Sequence, residues 1–87
     1  MRLKYAFETM KVGGQSFAVP LEDCGENFNG VIRLTGTAAV ILELLKEDTD
    51  EASIVEYMSR HYDVSRDTLA SDVHRMIMKL EAKGLLA

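Results

Sequence analysis

Eighty-seven residues, 47% of them apolar and 28% charged, make a single domain with one modest core, since a chain this short buries only about 60–65% of its unfolded surface. No apolar run approaches the ~20 residues of a membrane span, and the opening Met1-Arg2-Leu3-Lys4-Tyr5 lacks a signal-peptide stretch, so a cytoplasmic protein is expected. The lone Cys24 excludes an internal disulfide or a thiolate zinc site, and ten Lys+Arg against fourteen Asp+Glu, a net charge of −4, argue against nucleic acid as a partner.

Leu3, Tyr5 and Phe7 fall at every second position, which predicts a first strand over about residues 2–11 with one face buried. Gly13-Gly14 sits where a two-residue hairpin turn needs positive φ. The return strand spans about 15–20, with Phe17 and Val19 expected to face the core and Pro20 to end it. An acidic loop follows with Glu22, Asp23 and Glu26, running to Phe28. Asn29-Gly30 is a second turn signal, and Val31-Ile32-Arg33-Leu34 makes a short third strand.

Glycine then thins out and helical periodicity takes over. Thr35 is read as the cap of a first helix over about 36–47, with Ala38, Ile41, Leu42 and Leu45 as its stripe. Asp48 stands where a C-terminal glycine would relieve a left-handed turn. Thr49 or Asp50 caps a second helix, about 50–62, whose stripe is Ile54, Val55, Met58 and Tyr62. Ser65 caps the third, about 66–83, with Val64 and Leu69 placed for a hydrophobic staple. Leu69, Val73, Met76, Ile77 and Leu80 line its buried face, and Gly84 stops it so that Leu85 and Leu86 fold back on the core. Turn-rich strands followed by helices give an α+β fold, three N-terminal strands then three helices, winged-helix-like in outline.

Catalytic groups do not converge. His61 and His74 lie on different helices without metal-ligand spacing, and no serine stands in a nucleophile-elbow context. Gly13-Gly14 and Gly30 lack the spacing of a phosphate-binding loop. Neither enzyme activity nor a cofactor or metal is expected.

A winged-helix DNA-binding regulator is the rival reading, and charge tests it. Residues 35–64 carry two basic against seven acidic side chains, a net of −5; residues 65–87 carry four against three, a net of +1. DNA binders usually neutralise about six to ten phosphates. The helix pair suits DNA, and the electrostatics do not.

Several segments taken in order carry a resemblance: Gly30-Val31-Ile32-Arg33-Leu34, Thr37-Ala38 before Ile41-Leu42-Glu43-Leu44-Leu45, Ile54-Val55 with Tyr62-Asp63-Val64-Ser65, then Asp72-Val73, Met76-Ile77, Leu80 and Gly84-Leu85-Leu86. The chain resembles the coenzyme PQQ synthesis protein D family, over about residues 28–87 in sequence and over 1–27 in strand-turn-strand outline. It departs from the family at Asp48, where a glycine is common. The resemblance implies a non-catalytic adaptor that holds the leader of a ribosomally made precursor peptide as a strand added beside the third strand. It presents that peptide to a modifying enzyme, often a radical S-adenosylmethionine protein. Carried onto this sequence, the docking edge is Val31, Ile32, Arg33 and Leu34, and the facing wall is one flank of the third helix.

At about 100° per residue, that flank is Asp72, Arg75, Met76, Lys79 and Lys83, beside the buried stripe. Arg33, Arg75 and Lys79 suit acidic leader residues, while Met76 suits varied apolar anchors. An exposed third strand also invites a second copy of the chain, so a homodimer is the competing use of the same edge. Proline at Ile32 is expected to remove a ladder donor from the guest.

Overall fold

A two-residue turn organises the sheet. The computed structural model describes residues 1–24 and 30–87, so Glu26, Phe28 and the Asn29 half of the second turn signal lie outside the described residues. Gly13 and Gly14 have φ of 59° and 80°, the left-handed values a tight hairpin requires. They join β1 (Phe7–Val12) to β2 (Gln15–Pro20), antiparallel, with Val12 opposite Gln15 and Met10 opposite Phe17. β2 pairs in turn with β3 (Ile32–Leu34), Ala18 opposite Ile32 and Ser16 opposite Leu34. The order is β1-β2-β3, which leaves β3 at an edge of the sheet.

Three helices follow: α1 (Ala38–Leu44), α2 (Glu51–His61) and α3 (Arg66–Ala82). α3 packs along α2 and against α1. Phe7, Ala18, Ile32 and Leu34 from the sheet join Ile41, Leu42, Ile54, Met58 and the full predicted stripe of α3 in one buried cluster. The described architecture is the expected α+β arrangement, strands first and helices after. No helix among the described residues is long and apolar enough to cross a membrane.

Four local expectations are corrected. The first strand begins at Phe7 rather than near residue 2. Leu3 is buried in the same core but held outside the sheet: it bridges Leu86, and its amide donates to the Leu45 carbonyl at 2.7 Å. On β2 it is Ala18 that faces the helices, while Phe17 and Val19 lie half-buried on the outer face beside Met10 and Arg33. α1 starts late, after Gly36 at φ 57°, with Thr37 rather than Thr35 in the cap position and no side-chain cap bond. Asp48 adopts no left-handed conformation; among the described residues only glycines have positive φ. Its carboxylate accepts from the Met1 amine at 2.8 Å, and that hydrogen bond and charge hold it below the usual carboxylate range.

The ends of α2 and α3 are set by side chains. Asp50 accepts from the Ser53 amide at 2.7 Å, resolving the choice of cap for α2. Ser65 accepts from the Thr68 amide at 3.3 Å, while Val64 is exposed and Leu69 is buried in the core. At the far end, Gly84 (φ 71°) donates to the Glu81 carbonyl at 2.9 Å and Leu85 to Leu80 at 3.1 Å. This pair of bonds is a Schellman closure, with Leu80 and Leu85 both fully buried. Arg66 is tied to Glu56 across the α2–α3 junction.

Two outcomes follow. Ser65→Ala leaves the Thr68 amide without its acceptor and is expected to lower unfolding free energy by about 1 kcal/mol, read by urea denaturation. The Ser53 amide and hydroxyl hold the Asp50 carboxyl below its ordinary value. Its contribution is therefore present above the unfolded value of about 3.9 and lost as pH falls through the lower folded value. Asp50→Asn keeps a capping oxygen but cannot titrate, so its stability should fall less steeply than the parent's below about pH 4.

Candidate functional site

Which main-chain groups of β3 are open follows from the hairpin. A two-residue turn makes Val12 and Gln15 a hydrogen-bonded pair, so residues 15, 17 and 19 of β2 spend their amides and carbonyls on β1. The Leu21 amide, donating to Ala6 at 2.9 Å, continues the same alternation. Ser16 and Ala18 must then bond β3, through Leu34 and Ile32. Arg33, between them, points its N–H and C=O away from β2 to the open edge. Ile32 and Leu34 are 2% and 5% exposed and turn their side chains to the core. Their main chains are occupied, so the outward donor of β3 belongs to Arg33, not to Ile32. Val31 is 54% exposed just before the strand.

A crevice of about 320 Å³ opens beside this edge. Arg33 and the Thr35-Gly36-Thr37 turn border it on one side; Asp72, Arg75 and Lys79 stand along α3 on the other. Ala38, Ile41 and Met76 are its apolar lining, with Met76 8% exposed and packed into the core. Five of the nine expected residues therefore meet at one hollow: Arg33, Asp72, Arg75, Met76 and Lys79. Val31, Ile32, Leu34 and Lys83 are not among its lining residues, Ile32 and Leu34 being buried in the core. Lys83, the C-cap of α3, is half-buried and has an interaction of its own. Sequence reasoning missed Thr35, Gly36, Thr37, Ala38 and Ile41 as lining. The available signal was a glycine between two threonines, a poor start to a helix.

The crevice is locally basic on an acidic chain. Arg75 and Lys79 of α3 stand beside one carboxylate, Asp72, with Arg33 at the strand edge, and Arg75 lies 3.8 Å from Asp72 in a loose, exposed pair. Arg33 and Lys79 have no ion-pair partner among the described residues. Such pairs are screened and weak, so Arg75 stays available to a guest. β1 forms the other edge of the sheet, and a hollow of about 500 Å³ lies near its start. That hollow is lined by residues 2–7, Lys46 and Ala87, and no helix walls it.

Other reactive groups have structural partners. His74 Nδ1 lies 3.0 Å from Glu51 Oε1, and the His61 ring sits 4.3 Å from that of Tyr57. Burial, with Glu22 and Asp23 nearby, pushes the Cys24 thiol up and away from the thiolate. Among the described residues no three His, Cys, Asp or Glu side chains gather as metal ligands would.

Comparison with known proteins adds one finding. The family model of coenzyme PQQ synthesis protein D matches residues 15–86, from the first residue of β2 to the segment after α3. β1 lies outside the match. No curated protein and no solved structure matches the chain.

Met76 is both lining and core, which sets the cost of changing it. Met76→Leu conserves volume and is expected to cost under about 1.5 kcal/mol, whereas Met76→Ala should cost about 2–5 kcal/mol. Thermal unfolding of the two variants checks this.

Proposed function

The chain belongs to the coenzyme PQQ synthesis protein D family, a family of biosynthetic accessory proteins, and on that premise we propose that it is a non-catalytic peptide-binding adaptor. It takes the leader of a ribosomally made precursor as a strand added to β3, in the crevice against α3. It presents that peptide in the cytoplasm to a modifying enzyme, a radical S-adenosylmethionine protein. The reading rests on one observation: the outward amide and carbonyl of Arg33 run beside a hollow with apolar lining and a basic rim.

Energetics make both halves of that description necessary. Ordering six guest residues costs about 6–12 kcal/mol. Two ladder bonds to Arg33 return only about 1–3 kcal/mol. Apolar anchors at about 1.5–3 kcal/mol each must supply the rest, through contact with Ile41, Ala38 and Met76. Backbone pairing then gives register, and the hollow gives selectivity.

Titrating the candidate leader while following backbone amide signals tests the assignment. Shifts are expected at Val31 to Leu34 and along Asp72 to Lys79. Arg33→Pro removes the outward donor without touching a ladder bond, because an edge position tolerates proline, and should reduce binding at least tenfold. Thr9→Pro, which blocks an outward amide of β1 by the same alternation, should leave affinity unchanged. Equal binding by parent and Arg33→Pro, or loss only in Thr9→Pro, would place the guest elsewhere. Affinity anchored by apolar contacts should also change little between about 50 and 200 mM salt, unlike a DNA complex.

A further inference from the structure

We infer that the crevice reads an alternating guest: one acidic residue directly opposite Arg33, flanked on each side by an apolar residue. This rests on the strand-addition reading above and specifies the peptide class it accepts. A residue paired with Arg33 in an added strand shares its face of the sheet, and its two neighbours take the other face. Arg33 lies on the outer face with Phe17 and Met10, since Ile32 and Leu34 on either side turn to the core. The guest residue opposite Arg33 therefore also points outward, next to the guanidinium.

Arg33 has no anionic partner among the described residues. Glu8, on the same face, is two strands away and two residues out of register, about 12 Å. A carboxylate in the guest fills that role, and a lysine there meets like charge. The flanking guest residues point to the helix side instead, toward Ile41 and Met76, which are 1% and 8% exposed and offer no hydrogen bond to a carboxylate. The order apolar-acidic-apolar is thus set by which face each position takes, not by the total charge of the guest.

Three synthetic peptides of about ten residues, alike except for a central triad, test this by fluorescence anisotropy. The triads are Leu-Glu-Leu, Leu-Lys-Leu and Glu-Leu-Glu. The parent protein should bind Leu-Glu-Leu about fivefold tighter than Leu-Lys-Leu, and Arg33→Glu should invert that order. Glu-Leu-Glu should bind at least about tenfold more weakly than Leu-Glu-Leu, having lost two apolar anchors. Equal affinity for the two leucine-flanked peptides in both proteins, or tight binding of Glu-Leu-Glu, overturns the alternation while leaving strand addition intact. Failure of all three to bind, or amide shifts confined to β1, overturns strand addition itself and the alternation with it.

Discussion

The hydrogen-bond parity set by Gly13-Gly14 governs the whole sheet. With two residues in the turn, Val12 and Gln15 pair, and every later assignment along β2 alternates from there. The same parity decides, two strands away, that Arg33 and not Ile32 or Leu34 presents its main chain to the edge. It also decides that Ile32 and Leu34 can fill the core while Arg33 stays outside. A one-residue change of register would exchange those roles, burying a guanidinium and exposing two large apolar side chains. Core packing and the open edge are consequences of one turn.

The helices were legible because each end is written in local chemistry. Asp50 and Ser65 supply cap oxygens, and Gly84 supplies the left-handed closure that returns Leu85 to the core. The apolar stripe of α3 is complete in the sequence and completely buried in the fold. The strands were harder to read, because alternation tells that two faces exist but not which one meets the helices. Phe17 and Val19 outrank Ala18 in hydrophobicity, yet Ala18 is the residue of β2 that is fully buried. Leu3 and Phe7 likewise share a period and one core, yet only Phe7 is in the sheet: the Leu3 backbone bonds to Leu45 and bridges Leu86.

The site was legible where geometry is periodic and hidden where it is not. Helical spacing put Asp72, Arg75, Met76, Lys79 and Lys83 on one flank of the helix the resemblance pointed to, and the first four line the crevice. The Thr35-Gly36-Thr37 turn escaped notice because it was absorbed into the helix that follows it. Net charge was misleading in the opposite way. A chain of −4 overall concentrates Arg33, Arg75 and Lys79 around one hollow, and a sum over residues cannot show that placement. The wall also divides its labour: Met76 belongs to the core and lines the hollow, so the surface offered to a guest is anchored by the packing that holds the domain together.

The left-handed step at Gly36 gives this arrangement a terminus. β3 ends at Leu34, and within two residues the backbone has swung out of the sheet plane toward α1. A berth along that edge is accordingly short and has an end stop. On the proposed reading, a longer polypeptide paired with Arg33 parts from the sheet near Thr35. Segments beyond the mooring keep their own conformational freedom, within reach of whatever chemistry is brought to them.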